Sequence, residues 1–424
     1  MTFNQLGKHI AGIALGAVTL LALSACIPNE LQFGSRTLSF GQPSPNSGQL
    51  TPVGGQPLQP GQGAVPNYPM PSAGAVESFG RGPVQVALLL PLSGDPNLAG
   101  IGRSFANAAK LAMAFIEANP NITENITITL RDTGSSAQGA AAAANAAIGS
   151  GARLIVGPIR TDAVMAAGAV ARSSGVPLIG FANNPQAAGQ GVYLLNLLPE
   201  MEMKRSLAYV KAQGRRGIAG AFPATEFGQA QETAFRQQAV AAGFAPHSVY
   251  TFTSAGEAAQ IIAQALPHIQ SSMIDTLFLP DRASAPAFAT ALAQAGLDRD
   301  AVQLVGSADW EGDPAIMGTS QLAGAIYPAL DQAGMGAIRS DYQQKFGAQP
   351  HPLATIAYTA TILANVNTLS RAQPPYAAPL LTAPSGFNGR DGAFRFLPNG
   401  RSEYALAIKQ VGNGGAQQID GAKL

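Results

Sequence analysis

The sequence predicts an α/β protein with two doubly wound lobes of parallel sheet and a disordered N-terminal tether. An apolar strand pattern at Val84–Leu90 leads into a helix pattern that places Phe105 and Leu111 on one face. Short apolar strands and helices then alternate along the chain, which favours parallel sheets covered by helices on both faces. Residues 27–81, rich in Pro, Gly, Gln and Ser, show neither pattern.

The strands and helices follow in regular order. In the first set the pattern predicts strands and helices at Ile126–Leu130, Ala137–Ile148, Arg153–Val156, Thr161–Ser173 and Val176–Phe181. In the second set it predicts them at Pro199–Gln213, Gly217–Phe222, Thr225–Ala242, Ser248–Phe252, Glu257–Leu266 and Ile274–Leu279. Beyond these it predicts Ala285–Ala295, Val302–Val305, a long apolar helix at Leu353–Leu369, and strands at Ala393–Leu397 and Tyr404–Val411. Pro and Gly breaks assign residues 83–198 plus 282–383 to lobe 1, and residues 199–281 plus 384–424 to lobe 2.

Composition excludes several classes of function. The net charge is +1 and only 12% of the 424 residues are charged, so the chain has no electrostatic footprint for nucleic acid. Cys26 is the single cysteine, which excludes disulfides within the chain and thiolate metal sites. No nucleotide-binding or hydrolase motif stands at a strand–helix junction, and the histidines lack metal-ligand spacing. We therefore expect no metal, no cofactor and no enzymatic activity.

The N-terminus has the organisation of a bacterial lipoprotein signal. Residues 1–25 contain a basic start and the apolar stretch Ile10–Leu23, which is too short for a stable membrane span. The segment Leu23–Cys26 resembles a lipobox, which predicts lipidation at Cys26 and a membrane anchor. The alternative is an ordinary cleaved signal with a buried cysteine. By resemblance to lipoprotein sorting rules, Ile27 favours the outer membrane, with the protein facing the periplasm.

Residues 26–82 are predicted to form a lipidated, disordered tether. Their few apolar residues bury too little surface to offset the entropy of ordering. Such a segment reaches about 40 Å as a coil and about 170 Å as an extended polyproline II chain. That reach suits a lipoprotein that works far from its membrane better than a receptor that shuttles to a neighbouring permease.

Four segments resemble type I periplasmic binding proteins of the branched-chain amino acid-binding group. They are Leu90–Gly94, Leu154–Pro158, Gly175–Ile179 and Gly389–Gly400. The likeness covers Val84 to about Gly412. Within this group the chain is most similar to LpoA-type penicillin-binding protein activators, outer-membrane lipoproteins that stimulate peptidoglycan synthases by contact. Some of these have a helical-repeat N-terminal domain, where this sequence has the tether.

The resemblance implies a ligand site between the lobes, beyond the carboxyl ends of the strands. An amino acid there needs hydroxyls or N–H groups, an acid and aromatic walls. Ser93 lies in the first strand-end loop, Thr161 matches a carboxylate-binding serine, and Asn183 matches a threonine. Phe227 matches a wall tyrosine, and Glu257 matches the ammonium-binding acid. Further along the chain, a carboxylate and a wall are expected from Asp309 and Trp310.

Each of these residues has a structural alternative. Thr161 is equally suited to an N-cap, and Asn183 to a turn before proline. Phe227 is also suited to core packing, and Glu257 to a helix first turn, where an acid favours the dipole. Trp310 lies in a polar loop, and the sequence supports a position in the cleft wall and a position away from the cleft equally.

Two functions follow from the resemblance. The preferred one is a non-enzymatic activator that docks on a class A penicillin-binding protein. The alternative is a periplasmic solute-binding receptor for amino acids or amides that feeds an ABC transporter. The long tether, Ile27 and the lack of an aromatic residue near Ile101 favour the activator, whereas Glu257 and Trp310 favour the receptor. A scaffold with neither kind of partner is the third possibility.

Overall fold

The computed structural model describes residues 77–297, 300–331, 335–412 and 414–424. The predicted signal peptide, Cys26 and the tether as far as residue 76 lie outside the described residues. The strands are β1 Glu77–Phe79, β2 Val84–Leu90, β3 Ile126–Asp132, β4 Leu154–Val156, β5 Leu178–Gly180, β6 Val192–Leu194, β7 Ile218–Pro223, β8 Ser248–Phe252, β9 Thr276–Phe278, β10 Gln303–Val305, β11 Ile326–Leu330, β12 Phe387–Gly389, β13 Gly392–Phe396, β14 Ser402–Tyr404, β15 Leu406–Gly412 and β16 Gly415–Lys423. The helices are α1 Pro96–Ala118, α2 Ala137–Gly149, α3 Thr161–Ser173, α4 Pro199–Ala212, α5 Glu226–Ala241, α6 Ala258–Gln270, α7 Ala285–Gln294, α8 Pro314–Gly318, α9 Met335–Phe346, α10 Ala354–Asn365, α11 Asn367–Ser370 and α12 Ala378–Leu381.

Lobe 1 is built on a six-stranded sheet with the order β1-β3-β2-β4-β5-β6. Strands β2 to β6 are parallel, and β1 is an antiparallel edge strand on β3. Strand β1 lies within the predicted tether, so the tether prediction extends too far at this end. Phe79 packs against the lobe 1 core, and the Glu77 carboxylate pairs with Lys110 at 2.6 Å. This edge pairing orders three residues whose local sequence gives no strand signal.

A small antiparallel sheet of β12, β13 and β14 completes lobe 1. Its buried rings belong to the lobe 1 core, and Phe394 stacks on Tyr404 with 5.3 Å between ring centroids. Helix α10 packs against this sheet and against α1. The predicted helix Leu353–Leu369 is interrupted at Val366, whose ψ of 123° is extended. The preceding Asn365 side chain instead holds the Asn125 backbone N–H at 2.8 Å.

Lobe 2 contains a seven-stranded sheet with the order β16-β15-β11-β10-β9-β7-β8. Strands β7 to β11 are parallel, and β15 and β16 add to one edge in antiparallel orientation. Its faces are covered by two clusters of buried apolar side chains, one around Phe288 and Trp310 and one around Phe235 and Phe278.

The sheet pairing moves the predicted lobe boundaries. The sequence predicts residues 282–331 in lobe 1, but β10 pairs with β9 and β11 pairs with β10, so this segment extends the lobe 2 sheet. It predicts residues 384–404 in lobe 2, but β12 to β14 pack in the lobe 1 core. Pro and Gly breaks mark loops, whereas hydrogen bonds between distant strands decide which lobe a strand joins.

Candidate functional site in the interlobe cleft

The lobe 1 rim of the cleft is organised by Asp132 at the end of β3. Its Oδ1 accepts hydrogen bonds from the backbone N–H groups of Leu92 at 2.8 Å, Ser93 at 3.2 Å and Gly134 at 2.8 Å. Partial burial acts to raise the pKa of Asp132, but the Ser93 hydroxyl and these N–H groups outweigh it and lower the pKa. Ser93 is exposed at this rim, in the strand-end loop where the sequence predicts it.

Thr161 and Asn183 lie at the ends of the next two parallel strands. Thr161 is the first residue of α3 and is half-buried, while the N-cap position belongs to Arg160. The capping alternative for Thr161 therefore does not describe the structure. Arg160 instead pairs with the Asp162 carboxylate through two 3.0 Å hydrogen bonds. Asn183 is exposed in the loop after β5.

A direct hydrogen bond joins the two lobes beside Asn183. The Asn184 Nδ2 donates to Glu226 Oε1 at 2.9 Å, and Glu226 is the first residue of α5 in lobe 2. Phe227 follows immediately and is half-buried. In the sequence, Asn183 therefore precedes Asn184 and Phe227 follows Glu226, the two residues that form this interlobe contact. This contact is formed by Asn184 and Glu226, which the sequence analysis did not select.

The Glu257 carboxylate is hydrogen-bonded within its own turn. Its Oε1 accepts from the Thr253 N–H at 2.9 Å, the Thr253 hydroxyl at 2.6 Å and the Ser254 N–H at 3.0 Å. The Thr253 hydroxyl is the main cause that lowers the pKa of Glu257. The bond from the Ser254 N–H belongs to a capping box at the short turn Ala255–Glu257, which leads into α6. In this arrangement the carboxylate acts as a capping group at the turn that precedes α6.

Trp310 departs from the prediction that it lines the cleft. Its side chain is 0% exposed, and its ring lies 6.3 Å from that of Tyr327 in the lobe 2 core. Gly306 allows this packing, because a Cβ there would lie 2.1 Å from the indole. A short turn of residues 308–310 after β10 points Trp310 inward and leaves its neighbour Asp309 exposed.

Asp309 and Glu202 form an acidic pair on the lobe 2 side. Part of the Asp309 side chain reaches water, and the rest is surrounded by protein. This partial burial is the main cause that raises the pKa of Asp309. The nearby Asp281 also raises the pKa, and Arg282 lowers it. The Glu202 Oε2 accepts from the Ala308 N–H at 3.0 Å. Burial, helped by Asp309, raises the pKa of Glu202 to about 7.

Sequence reasoning missed Glu202 because its local signal points elsewhere. In the run Glu200–Met203 acids alternate with methionines at the start of α4, where an acid is expected because it favours the helix dipole. Only the fold places the first turn of α4 next to the turn that follows β10, where Glu202 accepts the hydrogen bond from the Ala308 N–H.

The crossing segments between the lobes are fixed by ion pairs from α4. Glu200 binds Arg401 at 2.8 Å, and Lys204 binds Glu403 at 3.0 Å. Arg205 Nε donates to the Leu406 carbonyl at 2.6 Å, just where the chain enters β15. These contacts join the first helix of lobe 2 to the strand that returns from lobe 1.

The lobe 1 rim of the cleft therefore carries Asp132, which is bonded to Ser93 and to backbone N–H groups, and the lobe 2 side carries the carboxyl groups of Asp309 and Glu202. Such a pair of surfaces can bind a polar solute with an ammonium group, or can be held together without one through Asn184 and Glu226. Within residues 77–297, 300–331, 335–412 and 414–424, no three His, Cys, Asp or Glu side chains are grouped to hold a metal ion. The same part of the chain contains no helix that is long and apolar enough to cross a membrane.

Two lobes of mainly parallel sheet, joined by crossing segments and facing each other across a cleft, define a two-lobed binding-protein fold. The chain belongs to the periplasmic binding protein family, whose model matches residues 83–416. Among curated proteins, none matches the sequence.

Solved structures similar to this chain include transport proteins and a regulator. A branched-chain amino acid ABC transporter structure from Rhodospirillum rubrum has a TM-score of 0.70 at 22% identity, covering 79% of this chain and 99% of that one. An ABC transporter substrate-binding protein from Desulfitobacterium hafniense in complex with Leu has a TM-score of 0.59 at 16% identity, with coverage of 79% and 99%. The LpoA (YraM) C-domain from Haemophilus influenzae, a regulator of PBP1A, has a TM-score of 0.60 at 16% identity, with the same coverage. At these identities the likeness establishes the fold alone.

Proposed function

We propose that this chain is a non-enzymatic outer-membrane lipoprotein that activates a class A penicillin-binding protein by contact from the periplasmic side. The observation that carries the proposal is the state of Glu257. By the resemblance, a receptor of the amino acid-binding group directs an acid at this position towards the solute, whereas here Oε1 of Glu257 accepts three hydrogen bonds from Thr253 and Ser254 that fix the carboxylate to its own turn. A module whose expected ammonium ligand is a structural cap is better suited to protein contact.

The interlobe contacts support the same proposal. Asn184 and Glu226 bridge the lobes directly, and ion pairs of α4 with Arg401 and Glu403 fix the crossing strands. Direct bonds between the lobes hold the module together without a solute. A rigid two-lobed body can present one fixed surface to a synthase, and the similarity to the LpoA C-domain is consistent with that role.

Cys26 and the tether supply the remaining parts of the proposal. Lipid at Cys26 would hold the chain at the outer membrane, and Ile27 favours that membrane. Strand β1 begins at Glu77, so residues 27–76 would provide a reach of up to about 155 Å in polyproline II form. Such a reach would let the lobes meet a synthase that is anchored in the opposite membrane.

A solute receptor for amino acids or amides is the second candidate, and Asp309 is the observation in its favour. This carboxyl is exposed in the turn after β10, beside the buried Glu202, so it would supply an acid on the lobe 2 side of the cleft. A solute ammonium group could bind there instead of at Glu257. Thr161 and Asn183, at the ends of the neighbouring lobe 1 strands, would then face the solute carboxylate.

Thermal unfolding against a panel of amino acids, amides and cell-wall peptides separates the two candidates. A solute at 100 times its dissociation constant stabilises a protein by about 2.7 kcal/mol, which raises the unfolding temperature of a body of this size by about 4 °C. The sole tryptophan, Trp310, is buried and reports unfolding by fluorescence. We expect no shift with any solute.

The Asp309→Asn variant is the matched control for this experiment. A solute that stabilises the unmodified chain but not this variant would overturn the activator proposal and make the protein a receptor. A shift that is equal in both would place the solute away from the cleft.

A further inference from the structure

Strand β3 extends beyond its edge partner β1 at the cleft end of the lobe 1 sheet. The ladder between the two strands pairs Phe79 with Ile128 and Glu77 with Leu130, where the described part of β1 begins. Strand β3 itself continues for two more residues, to Asp132. Because the two strands are antiparallel, the register directs residues 76 and 75 to the positions opposite the last two residues of β3.

The backbone of Asp132 faces this outer edge of the sheet. On the inner side of β3, the Thr133 N–H donates to the Leu90 carbonyl at the end of β2 at 2.9 Å. The backbone groups of successive strand residues alternate between the two edges, so the N–H and C=O of Asp132 face away from β2. An unpaired strand edge of this kind is a template for another strand. In register with Glu77 and Leu130, the next position that can bond there is residue 75.

A groove adjoins the same end of β3, on the side of the sheet that α2 covers. We call it the α2 groove, and its volume is about 580 Å³. Its strand side is formed by residues 130–134, and its helix side includes the small residues Gly139, Ala142 and Ala146. Helix α2 contains no charged residue. The helix side of the groove is therefore a surface of small, uncharged side chains.

The register places the side chain of residue 76 over the α2 groove. Residues directly opposite each other in an antiparallel pair share one face of the sheet, and position 76 is opposite Arg131. The Arg131 Nη2 donates to the hydroxyl of Ser150, the C-cap of α2, at 2.8 Å, so this face is the α2 face. Glu77 is on the other face, where its carboxylate pairs with Lys110 of α1. An apolar side chain at position 76 would therefore pack against α2.

The sequence that precedes Glu77 fits the α2 groove in size and charge. It reads Ser72-Ala73-Gly74-Ala75-Val76, and it carries no charge. Val76 is its only apolar residue larger than alanine, and it stands at the position that faces α2. Each strand residue spans about 3.4 Å, so residues 73–76 are long enough to cover the last two residues of β3.

We propose that residues 73–76 dock in the α2 groove as a continuation of β1, with the Ala75 backbone paired to the Asp132 backbone and the Val76 side chain against α2. The Asp132 side chain also organises the cleft rim through three backbone N–H groups. The docked segment thus ties the end of the tether to the cleft end of lobe 1. This docking site does not depend on the solute or protein partner of the cleft.

Hydrogen exchange of the full chain, followed by mass spectrometry on peptides from residues 72–77 and 130–134, tests the pairing. We expect slow exchange of the Asp132 amide, and at least tenfold faster exchange in Ala75→Pro, because the proline ring replaces the N–H that pairs with Asp132. Gly74→Pro is the matched control. The backbone groups of residue 74 would face away from β3, so this variant should exchange as the unmodified chain does.

Ala142→Glu tests the groove from the side of α2. A charged side chain in this small, uncharged surface should release the segment and make the amides of residues 73–76 exchange at least tenfold faster. Asn145→Glu is the matched control, because Asn145 is exposed on the same helix but does not line the groove. Trp310 fluorescence, which should be identical in all variants, checks that each one is folded.

Several results would overturn the proposal. One is fast exchange of the Asp132 amide in the unmodified chain, and another is equal exchange in the unmodified chain and Ala75→Pro. An equal loss of protection in either matched control would also overturn it. Protection of α2 that rises with protein concentration and is unchanged in Ala75→Pro would assign the groove to a second copy of this chain instead.

Discussion

Replacement of Asp391 by Asn is expected to stabilise the protein at neutral pH and to leave its stability nearly unchanged near pH 4. Asp391 is 0% exposed between α10 and the small sheet of lobe 1. Its Oδ1 accepts from the Thr359 hydroxyl at 2.8 Å, whereas Oδ2 faces Tyr404 without an aligned hydrogen bond. An Asn side chain keeps the first bond and places a donor beside the Tyr404 oxygen.

The size of the effect follows from the pKa of the buried acid. Burial raises the pKa of Asp391 from 3.8 to about 6, even though Thr359 opposes the rise. A raised folded-state pKa gives a contribution to stability that is complete below pH 3.8 and lost as the pH rises through about 6. This loss amounts to about 3 kcal/mol, and the neutral Asn variant does not undergo it.

Urea unfolding of both proteins between pH 4 and pH 8 measures this difference. Asp162→Asn is the control with the opposite sign, because the partly exposed Asp162 is paired with Arg160 and its pKa is lowered. That variant should lose a little stability at neutral pH, and the loss should shrink as the pH falls. Parallel pH profiles for the unmodified chain and Asp391→Asn would refute the reasoning about the buried carboxyl.

Three further replacements test the cleft and its surroundings. Glu202→Gln should raise the free energy of unfolding at pH 8 by up to about 3 kcal/mol and have little effect below pH 4.5, because the folded-state pKa of Glu202 is about 7. Urea unfolding that shows no gain at pH 8 would contradict this expectation. Glu226→Ala should remove the hydrogen bond from Asn184, lower the free energy of unfolding by about 1 kcal/mol and increase the radius of gyration measured by X-ray scattering. An unchanged scattering curve would show that this bond does not hold the two lobes together. Gly306→Ala should push a methyl group into Trp310, destabilise the protein by about 1–3 kcal/mol and shift its fluorescence to the red; unaltered emission would contradict the packing.

The alternating pattern was sufficient to predict most elements of the fold. Strand β2 and helix α3 have the predicted bounds, because each combines a clear apolar period with a turn at both ends. Strand β11 was not predicted, and the lobe that β10 joins was predicted incorrectly. The short sequence of β10, Gln303–Val305, is compatible with either lobe, and only its pairing with β9 decides which sheet it joins.

The candidate site was less predictable than the fold. Asp309 and Trp310 are neighbours in sequence, yet one is exposed and the other is in the core, because the short turn after β10 sends them in opposite directions. The resemblance implies an ammonium-binding role for Glu257, but its hydrogen bonds with Thr253 and Ser254 follow from local turn geometry. Glu202 and the Asn184–Glu226 bond depend on contacts between distant segments, for which one sequence carries no signal.

Glycan-chain synthesis by a purified class A penicillin-binding protein, with and without this chain, tests the central proposal most directly. We expect the full chain to increase the polymerisation rate, and Asp309→Asn to stimulate equally well, because the activator role does not use the cleft acid. Binding of the two proteins should be saturable at a ratio of one to one. No binding and no stimulation of any class A synthase from the same cell would contradict the account.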